Sequence, residues 1–268
     1  MDPYPFHVGL FSEMGVEAVV ETGKISVAMP ACNGEKYLRD QLDSILMNLG
    51  QEDEVVISDD GSTDRTLEII REYQSRDSRV RLVAGPGQGI KKNVEHALKE
   101  CVGEYIFLAD QDDVWMPDKV QKVMNVFETS KSHLVIHDAR VIQAEDLEKV
   151  LYPSFMELRG SGAGVWKNII KNSYIGCCMA FRAELKELVL PIPKDIEMHD
   201  QWIGIWNDHH YGDTVFIREP LIYYRRHGQN NSKMTHYGIM RMLRNRIVFC
   251  WRFLGRIFII HKRKALSS

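Results

Sequence analysis

Short apolar segments that favour β-strands alternate with amphipathic helical segments through the first half of the chain, and this alternation constrains the fold most strongly. The pattern predicts four strands, at residues 25–30, 54–58, 80–83 and 105–109. Apolar residues at helical spacing predict helices at 35–49, around 67–73 and at 90–101. Because the links are short, consecutive strands should form right-handed βαβ units, which predicts an α/β fold with a mostly parallel sheet flanked by helices.

Polar or glycine-rich residues follow each of the four predicted strands, at 30–33, 59–62, 85–89 and 110–113. The carboxyl ends of parallel strands meet at one edge of the sheet, and ligands bind beyond that edge. The sequence therefore predicts a binding site built from these four loops.

Three carboxylates, Asp110, Asp112 and Asp113, lie in one of these loops with no basic residue among them. Like charges this close raise one another's pKa unless a cation lies between them. Mg²⁺ and Mn²⁺ prefer hard oxygen ligands and share their coordination shell with phosphate, so the cluster predicts a divalent metal site. The alternative is a solvated acidic turn before a helix that begins near Pro117.

A nucleotide diphosphate would fit such an edge. A uracil or thymine base presents an N3–H donor that the carboxylate of Asp59 or Asp60 could accept, although these residues could equally form a turn that leads into a helix. A divalent ion held by Asp112, with Asp110 or Asp113, would offset the charge on a departing diphosphate.

The second half of the chain has weaker patterns, which predict strands at 133–141, 174–181, 214–217 and 221–224 and helices at 183–190 and 198–208. Asp200 opens the last helix and could be a general base, or only a carboxylate favoured by the helix dipole. The segment 225–230 collects donors suited to a diphosphate, and its His227 could also bind metal; the alternative is a basic turn.

Three blocks, ISVAMPACNGEKYLRDQLDSIL, VVISDDGSTDRTLEII and GEYIFLADQDDVWMPDKV, resemble glycosyltransferase family 2, which has the GT-A fold. The resemblance is strong from residue 25 to about 120. It continues more loosely through YIGCCMAFR, MHDQW and YYRRHGQNNS, which look like blocks on the acceptor side of bacterial enzymes that build surface polysaccharides. Cys32 departs from the family pattern, because relatives often have an aromatic residue there.

The resemblance implies a role for each matching position. Pro30 and Asn33 would shape the nucleotide pocket, and Asp59 or Asp60 would meet the base. Asp110 and Asp112 would form the metal-binding DxD motif for Mn²⁺ or Mg²⁺. Asp200 would be the catalytic base, and His227 would lie near the diphosphate and the metal.

The implied reaction is an inverting single displacement from a UDP- or dTDP-sugar, carrying a hexose or deoxyhexose, to a hydroxyl of a saccharide on a lipid diphosphate carrier. Two alternatives remain: a nucleotidyltransferase that makes sugar nucleotides, and a non-catalytic carbohydrate- or nucleotide-binding module. The first usually has a glycine-rich loop with a basic residue after its first strand, which PACNGEKYL does not resemble.

The C-terminal segment is strongly basic, with eleven Lys or Arg and no Asp or Glu from residue 225 to 268, whereas the first 224 residues carry a net charge of −14. Residues 237–264 alternate basic and large apolar residues, which predicts an amphipathic helix on an anionic membrane surface. The alternative is a helix whose apolar face packs on the catalytic domain. Nucleic acid is not an expected partner, because the acidic remainder would repel phosphates.

We therefore expect three segments: a flexible or non-native leader (1–23), a catalytic domain (24–232), and the basic helical segment (233–268). The catalytic domain divides into a nucleotide-sugar half (24–138) and an acceptor half (139–232). The odd number of cysteines without metal-ligand spacing, and the lack of a secretory signal, favour a reducing compartment. The expected location is the cytoplasm, at the inner face of the membrane.

Overall fold

The computed structural model of the protein describes residues 23–228 and 238–267. The strands in these ranges are β1 Ile25–Ala31, β2 Glu54–Asp59, β3 Val80–Ala84, β4 Tyr105–Leu108, β5 Val114–Trp115, β6 Leu134–Gln143, β7 Asp146–Tyr152, β8 Met179–Arg182 and β9 Val215–Arg226. The α-helices are α1 Leu38–Asn48, α2 Thr66–Arg76, α3 Ile90–Glu100, α4 Lys119–Thr129, α5 Phe155–Arg159, α6 Val165–Ile170, α7 Leu185–Val189, α8 His199–His210 and α9 Ile239–Ser267. The expected leader lies outside the described residues apart from Gly23, as do residues 233–237 of the basic segment.

The strands form a single sheet in the order β3-β2-β1-β4-β8-β6-β9-β5, with β7 paired to β6. The first four strands are parallel, as predicted, and Ala31, Asp59 and Ala84 lie side by side where β1, β2 and β3 end. Because β8 inserts between β4 and β6 in the opposite direction, the sheet becomes mixed beyond β4. The α/β class is confirmed. The run of four neighbouring parallel strands is limited to the first half, while β6 and β9 form a separate parallel pair in the second half.

Two predictions in the second half need correction. Only the end of the segment 174–181 is strand, because Tyr174 packs against α8 instead of pairing in the sheet: a Cβ on Gly204 would lie 2.4 Å from its ring. The predicted strands at 214–217 and 221–224 are one strand, β9. Its pairing with β6 shifts register beside Pro220, which has no N–H to donate to the ladder.

Helix α9 packs one of its faces on the catalytic domain. Phe249 and Phe253 are buried, and their rings lie 5.6 Å from Trp202 and 4.8 Å from Trp206 of α8, centroid to centroid. Between these positions Trp251 remains 75% exposed, so the helix also has an apolar face turned to solvent. Among the described helices, none combines the length and apolar character that crossing a bilayer requires.

Neighbouring residues on α9 should therefore differ in their effect on stability. Phe253→Ala removes a buried ring and should lower the free energy of unfolding by about 3 kcal/mol. Leu254→Ala, at a position that is 63% exposed, should change it by less than about 0.5 kcal/mol. Urea unfolding of both variants measures the difference, and equal effects would contradict the packing of α9 on α8.

Candidate functional site

A cavity of about 490 Å³ opens at the carboxyl ends of β1, β2 and β4, facing the start of α8. Of the predicted site residues, the structure places seven on its walls: Pro30, Asn33, Asp60, Asp110, Asp112, Asp200 and His227. The whole wall combines the four strand-end loops of the first half with four segments of the second half, at residues 155–159, 174–177, 198–200 and 224–227.

Asp59, the eighth predicted residue, is not part of the cavity wall. Its carboxylate is turned into its own loop, where it accepts hydrogen bonds from the N–H groups of Gly61 at 3.1 Å and Ser62 at 2.9 Å. Asp60 faces the cavity and accepts from the N–H groups of Gly87 and Gly89, both at 2.7 Å. The structure therefore separates the two candidates: Asp59 closes a turn, and Asp60 holds the glycine loop at the edge of the cavity.

Gln111, between the predicted acidic ligands, joins two of the loops. Its side-chain oxygen accepts from the N–H of Cys32 at 2.9 Å, and its amide nitrogen donates to the Cys32 carbonyl at 3.0 Å. On the other side, the Asn33 side chain accepts from the N–H of Thr63 at 2.8 Å. These bonds fix the loop after β1 between the loops after β2 and β4.

The acidic cluster is crowded and partly removed from solvent. Asp113 is fully buried; one of its oxygens accepts from the Arg225 N–H at 3.2 Å, and Oδ2 has no hydrogen-bond partner among the described residues. Burial, followed by the charges of Asp112 and Asp110, raises the pKa of Asp113 well above its ordinary value. Burial, followed by the charges of Asp112 and Asp200, raises the pKa of Asp110 to about 7.

This donor set suits a divalent cation, because carboxylates that repel one another and a buried oxygen without a partner would both be satisfied by one. The ligand atoms of Asp110, Asp113 and Cys177 lie within 4.8 Å of one another. Asp112 instead directs an oxygen to Nε2 of His227 at 2.6 Å, and the His227 ring stacks on Tyr37. The predicted ligand set of Asp110, Asp112 and His227 therefore stays a prediction, with Asp113 and Cys177 close by.

A buried lysine lies behind the acidic cluster. The Lys119 ammonium is 3.7 Å from the centre of the Trp115 ring and donates to the Cys177 carbonyl at 3.3 Å. Burial lowers the pKa of Lys119 to about 8, although the neighbouring charges of Asp113 and Asp110 oppose this shift. Lys119 thus supplies positive charge on the protein side of the cluster.

Asp200 lies in the first turn of α8 and is buried against the cavity. Its Oδ1 accepts from the Asn172 side-chain amide at 3.0 Å and from the Gln201 N–H at 2.6 Å. Beside it, burial lowers the pKa of His199, which keeps this imidazole neutral. A carboxylate with one oxygen fixed in place can accept a proton at the other, as general-base chemistry requires.

Sequence reasoning missed several residues that the structure brings to the site. Lys119 had a detectable signal, because it precedes the buried residues Val120, Val123 and Phe127 of α4 at helical spacing. Asn172 and Tyr174 come from irregular backbone and Cys177 from a single 3₁₀ turn, Gly176–Cys178, where periodicity gives no indication of side-chain direction. They were not predicted for that reason.

The family model described as "Glycosyl transferase family 2" matches residues 26–189 of this chain. An uncharacterized glycosyltransferase of Nostoc sp. is 30% identical over 217 residues, which cover 78% of this chain and 66% of the relative. TuaG of Bacillus subtilis, a glycosyltransferase whose name refers to teichuronic acid biosynthesis, is 28% identical over 75% of this chain and 78% of its own length.

Solved structures show the same fold at low sequence identity. Staphylococcus aureus TarS 1–349, in complex with UDP-GlcNAc, matches with a TM-score of 0.67 and 19% identity over 84% of this chain and 66% of that one. The mannosyltransferase PcManGT of Pyrobaculum calidifontis, in complex with GDP-Man and Mn²⁺, matches with a TM-score of 0.58 and 19% identity over 80% and 59%. The chain spans less than two thirds of the length of both structures and of the Nostoc relative.

The burial of Asp110 and the charges crowded around it predict a pH-dependent loss of stability. A carboxyl group with a pKa of about 7 when folded, and near 4 when unfolded, binds its proton more tightly in the folded state, so stability falls as pH rises between these values. In EDTA at pH 8, the free energy of unfolding of Asp110→Asn should therefore exceed that of wild type by about 1–2 kcal/mol. Water in the cavity screens the charges, so this value is smaller than the pKa difference alone would give. At about pH 5 the difference between the two proteins should be smaller.

Urea unfolding at both pH values measures this difference, with Asp146→Asn at the exposed start of β7 as the control. Added Mn²⁺ should raise the stability of wild type more than that of Asp110→Asn. If the difference in the free energy of unfolding between wild type and Asp110→Asn does not change with pH, the raised pKa of Asp110 is contradicted.

Proposed function

Because this chain belongs to glycosyltransferase family 2, we propose that it transfers a hexose or deoxyhexose from a UDP- or dTDP-sugar to a saccharide hydroxyl, with inversion at the anomeric carbon. Family membership and fold support a glycosyltransferase of the GT-A type that acts on sugar nucleotides. The observation that carries the finer proposal is the convergence of Asp60, Asp112 and Asp200 on one cavity, since donor, diphosphate and acceptor must meet there.

The nucleotide would lie over the loops after β1 and β2. Pro30 and Asn33 line this part of the cavity. Asp60 accepts three hydrogen bonds from the glycine loop and keeps acceptor capacity beyond them, since a carboxylate offers about four lone-pair sites. An N3–H donor of uracil or thymine suits that carboxylate. TarS is solved with UDP-GlcNAc, which supports a uracil nucleotide, whereas PcManGT is solved with GDP-Man.

Asp110 and Asp112 would hold the divalent cation, Mn²⁺ or Mg²⁺, with His227 beside them. A bound cation would neutralise the charge that develops on the diphosphate. The raised pKa of Asp110 and the unpartnered oxygen of Asp113 support a cation at this place. The PcManGT complex with Mn²⁺ provides a precedent in a protein of similar fold.

Asp200 would act as the general base. It accepts the proton of the acceptor hydroxyl while that oxygen bonds to the anomeric carbon, and the bond from this carbon to the diphosphate breaks on the opposite face. The proton remains on Asp200, and the electron pair of the broken bond leaves with the nucleotide diphosphate. Asn172 fixes Oδ1 of Asp200, so that Oδ2 can be directed at the acceptor.

The acceptor would be a saccharide on a lipid diphosphate carrier at the inner face of the cytoplasmic membrane, as part of bacterial surface polysaccharide synthesis. The name of TuaG supports a polysaccharide product. The basic segment 237–264 would hold the enzyme on anionic lipid, and its described part has an exposed apolar face. Membership of a transferase family favours this reaction over a nucleotidyltransferase or a non-catalytic binding module.

Replacing Asp200 with asparagine should separate transfer from donor binding. The substitution keeps the shape of the side chain and its place beside Asn172 but removes the proton acceptor, so kcat should fall by at least about a hundredfold, the contribution typical of a general base. Release of nucleotide diphosphate in the presence of acceptor measures kcat. Calorimetric titration with the nucleotide should give an unchanged Kd.

The exposed Asp146→Asn variant is the matched control and should retain both properties. Unchanged transfer by Asp200→Asn would remove Asp200 from the role of base. Loss of nucleotide binding together with transfer would instead place Asp200 in the donor pocket.

A further inference from the structure

A second amphipathic surface lies outside the basic C-terminal segment, on the short helix α6. Trp166 and Ile170, one helical turn apart, are 74% and 61% exposed. Lys167 and Lys171 are exposed beside them. No acidic residue occurs from residue 158 to 183, so the segment that forms this surface is both apolar and basic.

The structure joins this surface to α9. The Arg246 guanidinium donates to the Ile170 carbonyl through Nε at 2.9 Å and Nη2 at 2.5 Å. Beyond this contact, the outer side of α9 exposes a stripe of large apolar residues at helical spacing, formed by Ile247, Trp251, Leu254 and Phe258. The exposed residues of α6 and this stripe together are called the α6–α9 face.

The α6–α9 face also adjoins the acceptor side of the cavity. Asn172, whose side chain donates to Asp200, follows Ile170 by two residues. Two residues of extended chain span at most about 7 Å, so the exposed end of α6 lies close to the proposed base. The proposed base is therefore tied, through Asn172, to the segment that carries this face.

We propose that the α6–α9 face docks on an anionic lipid bilayer, with α6 as a second contact that places the Asp200 side of the cavity next to the membrane. Its basic charge complements anionic headgroups, and exposed tryptophans such as Trp166 and Trp251 are suited to the interface between headgroups and acyl chains. The contact of α9 with lipid and the link to a lipid-borne acceptor rest on the proposed function, whereas the contact of α6 is independent of it.

Co-sedimentation of the full chain with vesicles tests the role of α6. The vesicles contain either phosphatidylcholine alone or phosphatidylcholine with phosphatidylglycerol. Wild type should bind the anionic vesicles and bind the neutral ones much more weakly. The double variant Trp166→Ser with Ile170→Ser should bind anionic vesicles at least about tenfold more weakly, because two apolar side chains no longer enter the interface.

The matched control is Met47→Ser with Val102→Ser, which removes two exposed apolar side chains elsewhere on the surface and should bind as wild type does. Equal binding by wild type and the α6 variant would overturn the proposal, as would equal binding to neutral and anionic vesicles. A different outcome would assign the face to a second copy of the chain. In that case wild type would not bind vesicles and would be a dimer in sedimentation equilibrium, whereas the α6 variant would be a monomer.

Nucleotide titration of the same preparations distinguishes a failure of docking from a failure of the proposed function. Intact nucleotide binding without vesicle binding rejects the docking face alone. Vesicle binding without nucleotide binding supports the face and contradicts the donor site.

Discussion

Mutual repulsion among Asp110, Asp112 and Asp113 is the constraint around which the site is organised. The protein provides partial compensation: Lys119 behind the cluster, the Arg225 N–H on Asp113, and His227 on Asp112. This compensation is incomplete, since burial and the neighbouring carboxylates together still raise the pKa of Asp110 and that of Asp113. A fold that keeps this unfavourable electrostatic free energy at the open edge of its sheet is suited to bind a cation together with an anionic ligand.

The second half of the chain completes the site from a distance in sequence. His227 meets Asp112 across 115 residues, and Asn172 meets Asp200 across 28. Helix α8 can present Asp200 at a fixed place because its tryptophans are buried and are covered in part by the inner side of α9. The same helix α9 has an outer apolar side, so one element both supports the site and provides a surface for lipid.

Most of the first half could be predicted from the sequence, because β1 to β4 are short apolar segments that alternate with amphipathic helices through short links. The position of the site followed from their parallel order. The choice between Asp59 and Asp60 could not be made, since only the turn geometry decides which carboxylate faces the cavity. Irregular backbone around Tyr174 and the long-range pairing of β9 past Pro220 also depend on tertiary contacts that local patterns do not encode.

The most direct test of the account is the effect of nucleotides and divalent cations on thermal stability, measured with UDP, dTDP, GDP and CDP, each with Mn²⁺, Mg²⁺ or EDTA. A ligand at about 100 times its Kd adds about 2.7 kcal/mol to the stability of the folded state. A metal-dependent nucleotide site predicts that UDP or dTDP stabilises the protein only when the cation is present. Asp112→Ala should abolish this stabilisation, and the exposed control Asp146→Ala should retain it. No stabilisation by any nucleotide, or one that persists in EDTA and in Asp112→Ala, would contradict it.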